Sequence, residues 1–159
     1  MTSEVELVVD CRNTLGEGVL WHPELKRVLW TDIEEARLWS FDPATGEAES
    51  WPVPDRVGSF ALLARGGLLL ALASGLALYD LSSRALTPIA EVEADLPTTR
   101  LNDGRCDRSG RFVFGGFDEA DRQPISSVYQ IDERHRSSVI KITRAHRLRN
   151  VDKLPGAVV

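Results

Sequence analysis

The chain has 159 residues, of which 43% are hydrophobic and 27% charged, enough for one domain with a core of its own. Its net charge of −5 argues against a general nucleic-acid binder, which needs a basic face. The acidic opening (Glu4, Glu6, Asp10), an apolar stretch at 68–81 broken by Ser74, Gly75 and Asp80, and only two cysteines (Cys11, Cys106) argue against a secretory signal, a membrane span and a disulfide framework, so a cytoplasmic setting is expected.

The first elements read as short strands. Residues 18–21 are an apolar run, and His22-Pro23 then turns the chain. Residues 28–32 return, 37–41 follow, and 49–53 read as a fourth, outer strand. Between the last two lies Asp42-Pro43-Ala44-Thr45-Gly46. Its Asp accepts local backbone N–H bonds, its Pro fixes φ, and its Gly takes positive φ. Trp21, Trp30, Trp39 and Phe112 stand at strand spacing and are expected in the core.

A second unit repeats the pattern from Phe60, with Arg65-Gly66-Gly67 as its first turn and Asp80 in the place of Asp42. Residues 76–90 fit strands better than a helix, because Gly75 and period-two alternation flank them. A third unit begins near Asn102 and turns at Arg108-Ser109-Gly110. Its second hairpin is lengthened by the polar loop 118–124, the kind of insertion that often carries function. Residues 139–142 read as its last outer strand.

Trp21, Leu63 and Cys106 align at steps of 42 and 43 residues. A period near 40 to 45 built from four short antiparallel strands is the signature of a β-propeller blade. The fold class is therefore all-β: a partial propeller of about three blades, near 15–55, 56–97 and 98–142, followed by an irregular basic tail at 143–159. Seven basic residues and two acidic ones fall between Glu133 and Lys153. Glu17, Ser59 and Asn102 occupy the same point of the repeat. In a radial fold such residues aim at one axis, so a carboxylate and an amide are expected to converge, with Ser59 a channel-lining hydroxyl.

The segment Leu15-Gly16-Glu17-Gly18-Val19-Leu20-Trp21, followed by Trp30-Thr31-Asp32-Ile33 and the turn at 42–46, resembles the opening of the regucalcin/gluconolactonase (senescence marker protein) family. Arg100-Leu101-Asn102-Asp103-Gly104-Arg105-Cys106-Asp107, with Gly110-Arg111-Phe112 and Gly115, is similar to that family's second hallmark. The resemblance covers about residues 8–135, the first half of a typical member. It implies a six-bladed propeller that binds one divalent cation (Ca, Mn, Mg or Zn) and hydrolyses sugar lactones. It makes Glu17 a metal ligand and places Arg100 and Asn102 on the substrate. Asp118 or Glu119 is the further acidic residue facing substrate, and Glu119 is preferred. The remaining metal ligands and the presumed base fall in later blades. Asn150 lacks the expected Asn-Gly context and receives no role.

Oxygen donors such as Glu and Asn suit a hard cation, which polarises a carbonyl and activates water. Arg100 brings fixed donors for hydroxyls or an oxyanion. Taken alone, Glu17 between two glycines reads as a turn residue, Arg100 as the partner of a surface carboxylate, and Asp103 as a structural bond to neighbouring backbone. His22, His135 and His146 show no ligand spacing, and no Ser-His-Asp set, phosphate loop or Cys/His cluster is present. The expected function is metal-dependent ring-opening of an aldonolactone, with a small sugar lactone as partner and neither nucleic acid nor membrane. The alternative is a non-catalytic propeller fragment that binds metal or self-associates through exposed blade faces.

Overall fold

A computed structural model of the chain describes residues 4–131 and the strand at 140–142. Asp132, His135, His146, Asn150 and the basic tail at 143–159 lie outside the described residues. Among those described there is no helix, and so none long and apolar enough to cross a membrane. The chain divides into two compact units, Met1–Arg56 and Val57–Val159.

The first unit holds one antiparallel sheet in the order β1 (Gly16–His22), β2 (Arg27–Asp32), β3 (Arg37–Phe41) and β4 (Ala48–Pro52). Its register follows the alternation of the sequence. Leu29, Thr31, Leu38 and Ser40 share one buried face, while Trp30 and Trp39 stack on the other with ring centroids 5.5 Å apart. The turn after β3 forms as its residues dictate. The Ala44 N–H donates to Asp42 Oδ1 at 2.8 Å, and Gly46 takes φ +77°. His22 is buried, and its Nδ1 accepts the Leu25 N–H, which closes the turn at Pro23.

One core assignment is corrected. Trp21 is 50% exposed. Alternation puts Val19 and Trp21 on one face of β1, with Leu20 and His22 on the other. Only the second face is covered, so Trp21 and Val19 remain open. Trp30 and Phe112 are buried as expected.

The second unit holds two such sheets. One runs β5 (Val57–Leu62), β6 (Leu68–Leu72), β7 (Gly75–Tyr79) and β8 (Leu86–Glu91). The other runs β9 (Thr99–Cys106), β10 (Phe112–Asp118), β11 (Val128–Ile131) and β12 (Ile140–Ile142). Their facing sides form one core, in which Leu69, Ala71 and Leu76 meet Leu101, Phe112, Phe114, Tyr129 and Ile131. Phe114 stacks between Phe112 and Tyr129, at 5.4 and 5.6 Å between centroids. Each fully buried Leu or Phe contributes roughly 1.5–3 kcal/mol.

The first strands of these two sheets approach closely. A Cβ on Gly58 would stand 2.4 Å from the Leu101 carbonyl oxygen and 2.7 Å from the Asn102 Cα. Glycine there lets β5 lie against β9. On Gly104 a Cβ would fall 2.8 Å from Ser59 Oγ and 2.7 Å from the Phe114 Cβ. Ser59 is therefore packed beneath β9 and only 2% exposed. This corrects its expected place as a channel-lining hydroxyl.

Candidate functional site

The first strand of each sheet carries a register irregularity within two residues of the aligned positions Glu17, Ser59 and Asn102. Pairing of β1 with β2 shifts between Glu17 and Leu20, and Gly18 takes φ +67° there. Pairing of β5 with β6 shifts between Val57 and Ser59. Pairing of β10 with β9 shifts between Phe114 and Gly116, which leaves Asn102 and Asp103 opposite Gly115. A bulge adds one residue, bends the strand and re-aims the side chains beside it. Glu17, Ser59 and Asn102 thus stand at or next to a bulge in all three sheets. The glycine after Glu17 has a physical reason, since the left-handed conformation costs a side-chain-bearing residue roughly 1–2 kcal/mol.

Glu17 is half-buried on β1, across from Thr31 of β2. The segment before it is fixed by a buried carboxylate. Asp32 accepts the Thr14 N–H at 2.8 Å, the Leu15 N–H at 3.0 Å and the Asn13 side-chain amide at 3.2 Å. Burial pushes the Asp32 carboxyl up, but these donors outweigh it and its pKa lies below the ordinary value. The Asn13 Oδ1 in turn accepts the Trp30 indole N–H at 2.7 Å.

The second unit brings together three residues singled out in the sequence. Arg100 is only 5% exposed. Its Nε donates to Glu119 Oε1 at 2.9 Å, and its Nη1 donates to Asn102 Oδ1 at 2.7 Å and to the Leu101 carbonyl at 3.1 Å. The guanidinium lies over the Phe117 ring, 4.6 Å from its centroid, where the ring face attracts a cation. These bonds use Nε and Nη1. They turn the Asn102 oxygen towards the arginine, so its amide nitrogen points elsewhere. The arrangement leaves Nη2 of Arg100 and Nδ2 of Asn102 without hydrogen bonds to other described residues.

The geometry separates Asp118 from Glu119. Asp118 is 3% exposed and folded back on its own loop, accepting N–H bonds from Gln123 at 3.0 Å and from Ala120 and Asp121 at 3.3 Å. The Gln123 N–H is the main cause of its lowered pKa, with the Thr98 side chain adding to it. Glu119 is the acidic residue that reaches Arg100. Asp103 bonds the neighbouring Gly104 N–H, as read from sequence. Burial, then the adjacent Asp107, pushes the Cys106 thiol up, which makes it a poor nucleophile.

Glu93 escaped the sequence reading. Its carboxylate accepts the Ser126 hydroxyl, the Ser127 N–H at 2.8 Å and the Tyr129 hydroxyl at 2.7 Å. Tyr129 is pushed up to about 12, first by burial and then by the Glu93 bond and charge.

The donor chemistry of Glu17 suits a hard cation. Among the described residues, however, no three His, Cys, Asp or Glu side chains gather closely enough to hold a metal ion. Hard cations such as calcium take about six to eight oxygens.

Comparison with known proteins gives these features a context. The sequence profile of the family described as SMP-30/Gluconolactonase/LRE-like region matches residues 15–150. The L-arabinolactonase of Azospirillum brasilense is 48% identical over 122 residues, covering 76% of this chain and 40% of that protein. The 6-deoxy-6-sulfogluconolactonase of Pseudomonas putida is 31% identical over 140 residues, covering 88% of this chain and 48% of that protein. The crystal structure of regucalcin from Agrobacterium tumefaciens, described as a calcium-binding protein, aligns with a TM-score of 0.77 at 29% identity, covering 84% of this chain and 44% of that one. The chain thus spans less than half the length of these relatives. The fold is all-β, a partial propeller of four-stranded antiparallel blades. From its two sequence hallmarks, its blades and these matches together, the chain belongs to the SMP-30/gluconolactonase/LRE-like family.

Proposed function

We propose that this chain is the lactone-recognising part of a sugar-lactone hydrolase that opens an aldonolactone ring with the help of a divalent cation. The observation that carries the reading is the Arg100 cluster, a buried guanidinium oriented by Glu119 and Asn102 with donors left over. The names of the two lactonase relatives support the substrate class. An aldonolactone presents a carbonyl, a ring oxygen and several hydroxyls, all of which accept hydrogen bonds. Nη2 of Arg100 and Nδ2 of Asn102 are donors of the right kind. They sit on a scaffold held in place before the ligand arrives, which lowers the cost of binding. Glu119 balances the charge of Arg100 and keeps its planar fork in one orientation.

Glu17 would give a carboxylate oxygen to the cation. A divalent cation, when bound, polarises a carbonyl and makes water a stronger nucleophile at neutral pH. None of the described residues is assigned as the general base.

Acid release from L-arabinonolactone and from glucono-1,5-lactone, followed with a pH indicator with and without added Mn²⁺ or Ca²⁺, tests this reading. Metal-dependent release that is lost in Glu17→Ala and weakened in Arg100→Lys is the expected result. Release that is indifferent to chelator and to both substitutions sinks it.

The open face of β1 favours a second reading, in which the chain is a non-catalytic module that associates with itself. Val19 and Trp21 expose apolar surface side by side on one strand. Sedimentation of the wild-type chain and of Trp21→Lys decides between them. A monomer at all concentrations, alongside metal-dependent acid release, leaves only the first reading.

A further inference from the structure

The polar loop between β10 and β11 is fastened at both ends by carboxylates. At its start Asp118 gathers the N–H groups of Ala120, Asp121 and Gln123, while the Glu119 N–H donates to the Thr98 carbonyl at 2.9 Å. At its end Glu93 holds the Ser126 hydroxyl with both oxygens at 2.9 Å, the Ser127 N–H at 2.8 Å and the Tyr129 hydroxyl at 2.7 Å. Glu93 lies in the connection between β8 and β9, so this grip joins two segments remote in sequence.

The space it occupies borders the arginine. A Cβ on Gly116 would fall 2.6 Å from Ser126 Oγ, 2.7 Å from the Arg100 carbonyl oxygen and 3.2 Å from Glu93 Oε2. The Glu93 carboxylate, the end of the loop and the backbone of Arg100 therefore close on one point. Glu93 itself takes φ +57°, a strained conformation for a residue with a side chain, and its carbonyl accepts the Leu96 N–H at 2.8 Å.

We propose that Glu93 is a positioning residue for the Arg100–Glu119 pair. By pinning Ser126, Ser127 and Tyr129 it fixes the far end of the loop that carries Glu119, and so sets where the Glu119 carboxylate meets Arg100. Glu93 acts through the loop and touches no substrate. Its importance for catalysis rests on the reading that the Arg100–Glu119 pair meets the lactone; its grip on the loop does not.

The test uses Glu93→Gln, which keeps the size of the side chain and removes its charge. Arg122 is exposed in the middle of the loop and offers trypsin a site. The substitution should speed cleavage after Arg122 at least tenfold, with cleavage elsewhere among residues 4–118 unchanged. The lactone KM should rise severalfold with kcat held, and Glu93→Asp should restore part of both effects. Unchanged cleavage after Arg122, or an equal acceleration at every site, overturns the proposal. Should Glu93→Gln fail to fold, Ser126→Ala carries the same cleavage test. A Glu119→Gln variant with an unaltered lactone KM refutes the substrate reading alone, because cleavage after Arg122 still judges Glu93.

Discussion

Arg100 Nη1 donates to Asn102 Oδ1 across 2.7 Å, so two residues on the same face of β9 orient one another. The arginine has donors only, and the amide oxygen must turn to meet it. The alternating pleat of the strand makes the encounter possible, since residues two apart point the same way.

Removing that arginine should be costly. Arg100→Ala removes the guanidinium that meets Glu119 at 2.9 Å and opens a space beside Phe117. Breaking a fully buried pair costs about 3–5 kcal/mol. The Glu119 side chain is 33% exposed and keeps some water, so about 2 kcal/mol is expected here. Urea denaturation of the two proteins measures it, and lactone hydrolysis should fall further than stability alone explains.

The approach of β5 to β9 sets a second expectation. Gly58→Ala must displace the Leu101 carbonyl or the Asn102 backbone, neither of which can rotate away. Overpacking of this kind costs roughly 1–3 kcal/mol, and backbone obstruction places Gly58→Ala at about 3. Gly46→Ala is the control. Its turn has open space, so only its positive φ resists, at roughly 1–2 kcal/mol. Thermal unfolding midpoints should rank wild type above Gly46→Ala, and Gly46→Ala above Gly58→Ala.

Acid should weaken the fold over a defined range. Asp80 is held at about 2 by the Ser83 N–H and by the hydroxyls of Ser82 and Ser83, and Asp32, Asp107 and Asp118 also lie below their ordinary value of 3.8. The unfolded chain then takes up protons first as pH falls. The stability from these groups is complete above the unfolded value and is lost as pH drops from about 4 towards 2. Urea midpoints should be level from pH 7 to about pH 5 and decline below pH 4. Asp80→Ala should flatten part of the decline.

Alkali should act through Tyr129. Burial, with the Glu93 bond and charge, raises its phenol from 10 to about 12. The unfolded chain loses that proton first, so the contribution is whole below pH 10 and disappears between about pH 10 and 12. Absorbance titration of the folded protein should show a late-ionising tyrosine, and Tyr129→Phe should remove that phase.

The parts of this structure that follow from neighbouring residues were legible in the sequence. The turns at Asp42 and Asp80 form because each side chain bonds N–H groups two or three residues on. The blade period was legible because strand spacing is a local pattern repeated. The arginine cluster was half legible. Arg100 and Asn102 stood in one motif, whereas the choice between Asp118 and Glu119 needed the loop to be seen folding back on Asp118. Glu93 was hidden because its partners lie 33 to 36 residues away. Trp21 was misread for a different reason: alternation tells which residues share a face and not which face is covered.

The recurring bulge carries an implication for how such a protein diversifies. Every copied blade brings its own irregular step in the ladder, where pairing lapses for a residue or two. Glu17 and Ser59 stand paired beside that step, and Asn102 lies within it. Glu17 and Asn102 are only half-buried and can be exchanged without disturbing the ladder, whereas Ser59 is locked beneath β9. Duplication thus multiplies such steps, and new chemistry can be tried at one of them while the others keep their part in the packing.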